Sequence, residues 1–223
     1  PAIDWLGEAL AERERAEKAG AEARERQAAT RIAGTKPSHP IADYAGEYGH
    51  PGYGLLRIEV ADAKKGTLEA TYNGMKLPLE HWHYDVWNGA ESEGDETFES
   101  QKLLFRGSVD GGIAAVETTP DPLAPPVVFA RRPPARLSDP AVLAGFAGRY
   151  AFPDMTAEVA LAGGVLRLSI PGQPTYTLEP EASGRFRLAE EPAVTIAFVE
   201  EGGRAVKLLS HQPNGVFEAA RVE

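Results

Sequence analysis

From residue 41 onward, hydrophobic and polar residues alternate along short stretches of the chain. Apolar residues occupy every second position at 56–60, and the same pattern returns at 166–170. A period of two predicts β-strands that bury one face and expose the other. Glycine-containing turns separate the stretches, among them Asn73-Gly74 and Asn214-Gly215, and such turns favour tight antiparallel hairpins. This part of the chain is therefore predicted to be mainly β.

The residues before this region follow a different pattern. Asp4 to Thr30 is rich in Ala, Glu and Arg, which are strong helix formers. Glu22 and Arg26 lie four residues apart, a spacing at which opposite charges support a helix. Beyond Leu10 the segment has almost no apolar face, and a helix that is polar all round is usually a connector. We therefore predict a charged linker helix, ended by Pro37 and its neighbours.

The β region repeats itself. The sequence Tyr44-Ala-Gly-Glu-Tyr48 matches Phe146-Ala-Gly-Arg-Tyr150, and Val128-Phe-Ala-Arg131 matches the end of the chain at 217–221. A proline-rich stretch at 132–140 lies between the two copies. A repeat of this kind predicts two tandem modules of one fold. The expected division is a helical linker at 1–36, a first module at 37–133 and a second module at 134–223.

Each module is expected to form a small closed barrel. We favour two up-and-down antiparallel barrels over two sandwiches, because closure leaves no strand edge exposed. The alternation alone fits both architectures. A module of this size is expected to be too small for a large ligand cavity.

Composition excludes several function classes. The net charge of −10 argues against nucleic-acid binding, which needs a basic surface. The chain has no cysteine, so disulfides, thiolate metal sites and a cysteine nucleophile are excluded. No apolar run reaches the roughly 20 residues of a membrane span. The sequence also lacks a Gly-x-Ser-x-Gly elbow, a phosphate-binding loop and a dinucleotide fingerprint. Because it begins at Pro1 without an initiator Met, we expect a fragment or a processed product.

The densest group of chemically versatile side chains is Leu79-Glu-His-Trp-His-Tyr-Asp85. In a regular strand, His81, His83 and Asp85 would share one face and could bind zinc or another divalent ion. Further histidines could supplement such a site: His39, His50 and His211. We favour a structural role instead, in which the imidazoles point inward and hydrogen-bond to backbone or to Asp85. No metal site and no cofactor is assigned on this evidence.

The aromatic residues near this group suggest a binding surface. Tyrosine and tryptophan, with an apolar ring and a polar tip, suit half-buried seams between domains and the mouths of ligand-binding barrels. The candidate ligand-binding or interdomain surface comprises six residues: Tyr53, His81, Trp82, His83, Tyr84 and Trp87.

Two motifs resemble a known family. The stretch from Tyr44 through Tyr53-Gly, followed by Leu79–Asp85, resembles the C-terminal accessory region of bacterial serine hydrolases. Those hydrolases are related to class C β-lactamases, penicillin-binding proteins and D-aminopeptidases. The charged helix after Asp4-Trp5-Leu6 and the Gly-Thr-Lys-Pro-Ser-His-Pro stretch at 34–40 resemble the segment that joins this region to the catalytic domain. The resemblance is most specific through residue 132.

The resemblance implies a lipocalin-like domain of unknown function built from small antiparallel barrels. The family's catalytic residues lie in an N-terminal domain and include Ser-x-x-Lys and Tyr-x-Asn motifs. Neither motif occurs here, and His50-Pro51-Gly52 fits a third family motif, His-x-Gly, by letters alone. We therefore expect no catalytic residue in this chain.

The expected role is a non-catalytic accessory domain pair that packs on or gates the catalytic domain of the same polypeptide. It would also aid homo-oligomerisation, and the resemblance implies a periplasmic or secreted parent protein. The alternative is a small-ligand-binding, lipocalin-like module.

Overall fold

The computed structural model describes residues 5–90, 101–120 and 124–222. The chain begins with helix α1, Trp5–Ala28, which confirms the predicted N-terminal helix. Backbone hydrogen bonds continue the helical turn beyond its end, because Thr30 N donates to Gln27 O at 2.9 Å and Arg31 N to Ala28 O at 3.1 Å. Among the described helices, none combines the length and the apolar character needed to cross a bilayer.

The first β region is a closed antiparallel barrel, as predicted. It follows the short helix α2, Ile41–Tyr44. Each strand pairs with the next, and the last pairs back with the first. The strands are β1 Gly46–His50, β2 Gly54–Asp62, β3 Thr67–Tyr72, β4 Met75–His83, β5 Val86–Gly89, β6 Lys102–Gly107, β7 Ile113–Thr118 and β8 Val127–Arg131.

The second β region is also a closed barrel with the same order of strands. A short 3-10 helix, Ala135–Ser138, and helix α3, Pro140–Phe146, precede it. Asp139 caps α3, because its Oδ1 accepts a hydrogen bond from Ala141 N at 2.8 Å. The strands are β9 Gly148–Ala151, β10 Thr156–Ala162, β11 Val165–Ser169, β12 Tyr176–Pro180, β13 Phe186–Leu188, β14 Thr195–Glu201, β15 Arg204–Gln212 and β16 Gly215–Val222.

An arginine on the last strand explains the repeated Ala-Gly-x-Tyr motif in the second barrel. Arg221 Cζ lies 5.9 Å from the centre of the Tyr150 ring, and Arg221 Nη1 donates to the carbonyls of Gly145 and Ala205 at 2.9 and 3.0 Å. Gly148 has φ +157°, and a Cβ there would lie 2.8 Å from the guanidinium. Glycine suits this position because other residues rarely adopt this φ and because their Cβ would push against the guanidinium of Arg221.

The first barrel closes in the same way. Arg131 Cζ lies 5.7 Å from the centre of the Tyr48 ring, and a Cβ on Gly46 would lie 3.3 Å from the guanidinium. Tyr48 pairs with Arg131 across β1 and β8, as Tyr150 pairs with Arg221 across β9 and β16. The repeated motif therefore forms the same arginine–tyrosine contact where the first and last strands of each barrel pair. We call this contact the closure device.

In each barrel, two aromatic rings pack against the ring of the last residue of the short helix. In the first barrel, the Tyr44 ring lies 5.5 Å from Trp87 and 5.0 Å from Phe105, in edge-to-face contact. In the second, Phe146 stacks on Phe198 at 4.7 Å and meets the edge of Phe186 at 5.8 Å. Such contacts add to the free energy gained from burying the rings. The last residue of the short helix is thus a tyrosine in the first copy and a phenylalanine in the second.

Candidate functional site

The segment His81–Asp85 departs from the regular strand that the sequence pattern predicts. Strand β4 ends at His83, and its register with β5 shifts between His81 and His83. Tyr84 adopts a left-handed conformation with φ +46°. A bulge followed by a turn re-aims the side chains, so the expected common face of His81, His83 and Asp85 does not form. We call residues 81–85 the clamp, because residues 31–44, the lead-in segment, bind to it.

Arg31 makes the first contact between the lead-in segment and the clamp. Its Nε donates to Trp82 O at 2.9 Å, and its Nη2 donates to His81 O at 3.0 Å. Arg31 Cζ also lies 5.4 Å from the centre of the Trp82 ring. The planar guanidinium thus binds two successive carbonyls and an aromatic ring together, which a lysine could not do.

The middle of the lead-in segment binds the turn of the clamp. Ile32 N donates to His83 Nδ1 at 3.3 Å, and Tyr84 N donates to Thr35 Oγ1 at 3.1 Å. His81 Nε2 lies 2.8 Å from Tyr84 O and holds the turn closed. Both histidines are therefore bound to groups of the chain itself.

Asp85 is the centre of the last contact. Its Oδ1 accepts hydrogen bonds from Ser38 N and Ser38 Oγ, each at 2.9 Å, and Ser38 Oγ is 2.8 Å from Oδ2. The Tyr44 hydroxyl donates to the same Oδ1. His39 Nδ1 lies 2.6 Å from Ser38 Oγ, and His39 N donates to the Tyr44 oxygen at 3.2 Å. One carboxylate thus holds both Ser38 and the end of α2.

The electrostatics of this contact favour a charged Asp85 and a neutral Tyr44. Burial raises the pKa of Asp85, but the hydrogen bonds from Tyr44 and Ser38 outweigh it and leave the pKa below its usual value. Burial, together with the hydrogen bond to Asp85, raises the pKa of Tyr44 to about 12. At neutral pH the hydrogen bonds to Asp85 are charge-assisted, which makes them stronger than neutral ones.

Trp82 also contacts a lysine of the barrel. Lys102 Nζ lies 3.6 Å from the centre of the Trp82 ring and donates to Asn88 Oδ1. Burial lowers the pKa of Lys102 to about 8. Trp82, part of the clamp, thus contacts both Lys102 of strand β6 and Arg31 of the lead-in segment.

The other two residues of the predicted surface have different environments. Trp87 is fully buried and packs on the rings of Tyr44 and His81, at 5.5 Å in each case. Tyr53 lies in the turn between β1 and β2, where its ring is 5.2 Å from His50. The structure therefore brings together His81, Trp82, His83 and Tyr84 in the clamp, with Trp87 beneath it, whereas Tyr53 belongs to another turn.

The side chains considered as metal ligands, His81, His83 and Asp85, have other partners in the structure. Within residues 5–90, 101–120 and 124–222, no three His, Asp or Glu side chains are grouped so that they could hold a metal ion. One ring nitrogen of His81, one of His83 and both carboxylate oxygens of Asp85 hydrogen-bond to Tyr84, Ile32, Ser38 and Tyr44.

Sequence reasoning missed Arg31, Ser38 and Tyr44 as members of this site. A signal was present in the repeat, because the first copy has Tyr44 where the second has Phe146. A hydroxyl added at an otherwise buried ring position requires a hydrogen-bond partner. That partner, Asp85, is 41 residues further along the chain.

The grouping of Ser38, His39 and Asp85 invites comparison with a catalytic triad. In a triad the carboxylate orients the histidine, and the histidine accepts the serine proton. Here Asp85 binds the hydroxyl and the backbone amide of Ser38 directly. The arrangement fixes the position of the lead-in segment.

Residues 30–129 match the model of a family described as a domain of unknown function, DUF3471. The match starts beside Arg31, where the lead-in segment first binds the clamp, and ends in β8. It agrees with the expected domain of unknown function and covers the lead-in segment together with most of the first barrel. A comparison with curated proteins finds no match to the chain.

Proposed function

We propose that this chain is a non-catalytic accessory region of a β-lactamase-like serine hydrolase. In this role, the first barrel fixes the segment that leads in from an N-terminal catalytic domain of the same polypeptide. The barrels pack on or gate that domain and aid oligomerisation.

The observation that carries the proposal is the series of contacts between the lead-in segment and the clamp. Arg31, Ile32, Thr35 and Ser38 each hydrogen-bond to the clamp, and Tyr44 completes the series. Ordering a connecting segment costs about 1–2 kcal/mol per residue. Hydrogen bonds to the charged side chains of Arg31 and Asp85 contribute about 1.5–3 kcal/mol each, and those of Ile32 and Thr35 about 0.5–1.5 kcal/mol each. A chain that only needed to link two domains would not require these contacts, whereas one that sets their orientation would.

The end of helix α1 supports the same role. Beyond the end of the helix at Ala28, backbone hydrogen bonds from Ala29, Thr30 and Arg31 continue the turn as far as the clamp. The clamp therefore grips the chain directly at the end of the helix. Whatever precedes the helix would be oriented by the barrel through this junction.

The orientation can be tested with spin labels, because the chain has no native cysteine. One label replaces Glu12 on α1 and the other replaces Lys64 in the β2–β3 turn. We expect a narrow distance distribution in the otherwise native protein and a broad one after Asp85→Ala. The control variant Glu69→Gln changes a carboxylate that pairs with Lys76 on the barrel surface and should leave the distribution narrow. A broad distribution in the native chain, or an unchanged one in Asp85→Ala, would contradict the clamp.

The non-catalytic part of the proposal has a separate test. The purified protein should not hydrolyse nitrocefin or p-nitrophenyl esters above the buffer rate. Turnover that disappears in Ser38→Ala, while the circular dichroism spectrum stays native, would show that the Ser38 group is catalytic and would overturn it.

A further inference from the structure

The second barrel contains a cavity of about 590 Å³ at one end. The turns β9–β10, β11–β12 and β15–β16 border it, and the buried side chains of Leu168, Ile196 and Leu208 line it inside the barrel. Helix α3 packs at the other end, where a Cβ on Gly145 would collide with the carbonyl oxygen of Gly203 in the β14–β15 turn. The volume lies within the range of about 300–1,000 Å³ of sites for drug-sized ligands. The expectation that a module of this size is too small for a large cavity is therefore wrong for the second barrel.

The first barrel shows why the cavity exists. Its own cavity, lined by Tyr72 and Phe129 among others, has only about 40 Å³, which suffices for no more than a water or two. The two rings pack edge to face at 6.1 Å. In the repeat, Ile170 and Ala219 occupy the matching positions. Of these two, Ile170 lines the cavity, so the smaller side chain in place of the Tyr72 ring contributes to the open space in the second barrel.

The cavity also carries polar groups where a ligand could use them. Ser210 is only 5% exposed, and its Oγ accepts a hydrogen bond from Gln212 Nε2 at 3.1 Å. Within the described chain, this is the one hydrogen bond that Ser210 Oγ makes, so its hydroxyl proton is available to a guest. The remaining polar lining consists of Gln173 and the exposed carboxylate of Asp154.

The charge of the cavity restricts the ligand further. Among the described residues that line it, none is Lys, Arg or His, and Asp154 supplies a negative charge at its rim. The whole chain has a net charge of −10. An anionic guest would meet an unfavourable potential with no partner for its charge.

We propose that this cavity binds an uncharged, mainly apolar small molecule whose hydroxyl, amide or arylamine group hydrogen-bonds with Ser210 and Gln212. The apolar body fills the interior beside Leu168, Ile196 and Leu208, and Met155 and Phe217, each 41% exposed, flank the entrance. This site is independent of the clamp and of the proposed role in a hydrolase.

A matched pair of fluorescent probes tests the ligand class. N-phenyl-1-naphthylamine is uncharged at neutral pH, and 1-anilinonaphthalene-8-sulfonate has the same aromatic body with an added sulfonate. We expect saturable binding of the uncharged probe with one site per chain, and about tenfold weaker binding of the sulfonate. Asp154→Lys should strengthen sulfonate binding and so reduce the difference in affinity between the two probes.

Two variants at opposite ends of strand β11 locate the site. Ile170→Tyr, directly after the strand, introduces the residue type that the first barrel has at this position, and it should weaken binding of the uncharged probe about tenfold or more by filling the cavity. The control Val165→Tyr alters a solvent-exposed residue at the start of the strand, outside the cavity lining, and should have no effect. If Ile170→Tyr fails to fold, Met155→Trp at the entrance should produce the same loss.

Three results would overturn the proposal. They are no saturable binding of the uncharged probe, equal binding by the native protein and both cavity-filling variants, and equal or tighter binding of the sulfonate by the native protein.

Discussion

The two barrels share a closure device and differ at the ring that ends the short helix of each. Tyr44 uses its hydroxyl to bind Asp85 and so joins the lead-in segment to the first barrel. Phe146 has no hydroxyl and stacks on Phe198 within an apolar cluster. The barrels also differ in their interiors, since the first is filled by rings and the second leaves a cavity. The two copies thus share one framework and differ at particular side chains. Those of the first copy hold the lead-in segment, and those of the second leave room for the proposed ligand.

The largest expected effect tests whether the two ring clusters are equivalent. Trp87→Ala and Phe186→Ala each remove a fully buried ring, which costs about 3–5 kcal/mol of unfolding free energy. The tryptophans of the chain are Trp5, Trp82 and Trp87, so tryptophan emission reports no part of the second barrel directly. In guanidinium titrations, Phe186→Ala should lower the unfolding midpoint seen by circular dichroism more than the one seen by emission. Equal shifts would show that the barrels unfold as one unit.

A smaller effect is expected from the clamp. Asp85→Ala removes the acceptor of the Ser38 amide, the Ser38 hydroxyl and the Tyr44 hydroxyl, and should cost about 2 kcal/mol because part of the site is open to water. Hydrogen exchange should show faster exchange of the Ser38 and Ile32 amides, with the amides of β10 and β11 unchanged. Exchange at Ser38 that stayed slow would mean that other contacts hold the lead-in segment.

Exchanging the two ring types sharpens the comparison. Phe146→Tyr adds a hydroxyl to an apolar cluster and should destabilise the second barrel by about 1–3 kcal/mol if the group remains unsatisfied. Tyr44→Phe should cost about 1 kcal/mol, because the lost hydrogen bond leaves Asp85 still bound to Ser38. Thermal denaturation of both single variants measures the difference, and a Phe146→Tyr protein as stable as the native one would show that the second barrel can also accommodate the hydroxyl.

The smallest expected effect is the change with pH in the difference in stability between the native protein and Tyr44→Phe. The folded-state pKa of Tyr44 is raised to about 12 from the ordinary value of 10.0. The contribution of this shift to the unfolding free energy is therefore complete below pH 10.0 and is lost as the pH rises towards 12. The pKa of Asp85 is lowered from its ordinary value of 3.8. Its contribution to the unfolding free energy is therefore present above pH 3.8 and is lost as the pH falls through the folded-state pKa. Unfolding free energies of the native protein and Tyr44→Phe should therefore converge at high pH. A constant gap from pH 9 to pH 12 would contradict this assignment.

The sequence predicted the barrels well because their information is local. Alternation at 56–60 and 166–170 and the Asn-Gly turns determine strands and hairpins, and the repeat predicts that both modules share one fold. The clamp was harder to predict because its partners, such as Arg31 and Trp82, are distant in sequence and meet through backbone carbonyls. The cavity was missed because a pattern of apolar positions treats Tyr72 and Ile170 as equivalent, although their volumes differ.

The junction between α1 and Arg31 has a mechanical consequence. A helix of 24 residues at about 1.5 Å per residue is about 36 Å long. A rotation of about 10° at the clamp would therefore move the far end of the helix by about 6 Å, by the same geometry. In the proposed accessory role, a small change of angle at the clamp would therefore become a displacement of several ångströms at the start of the helix.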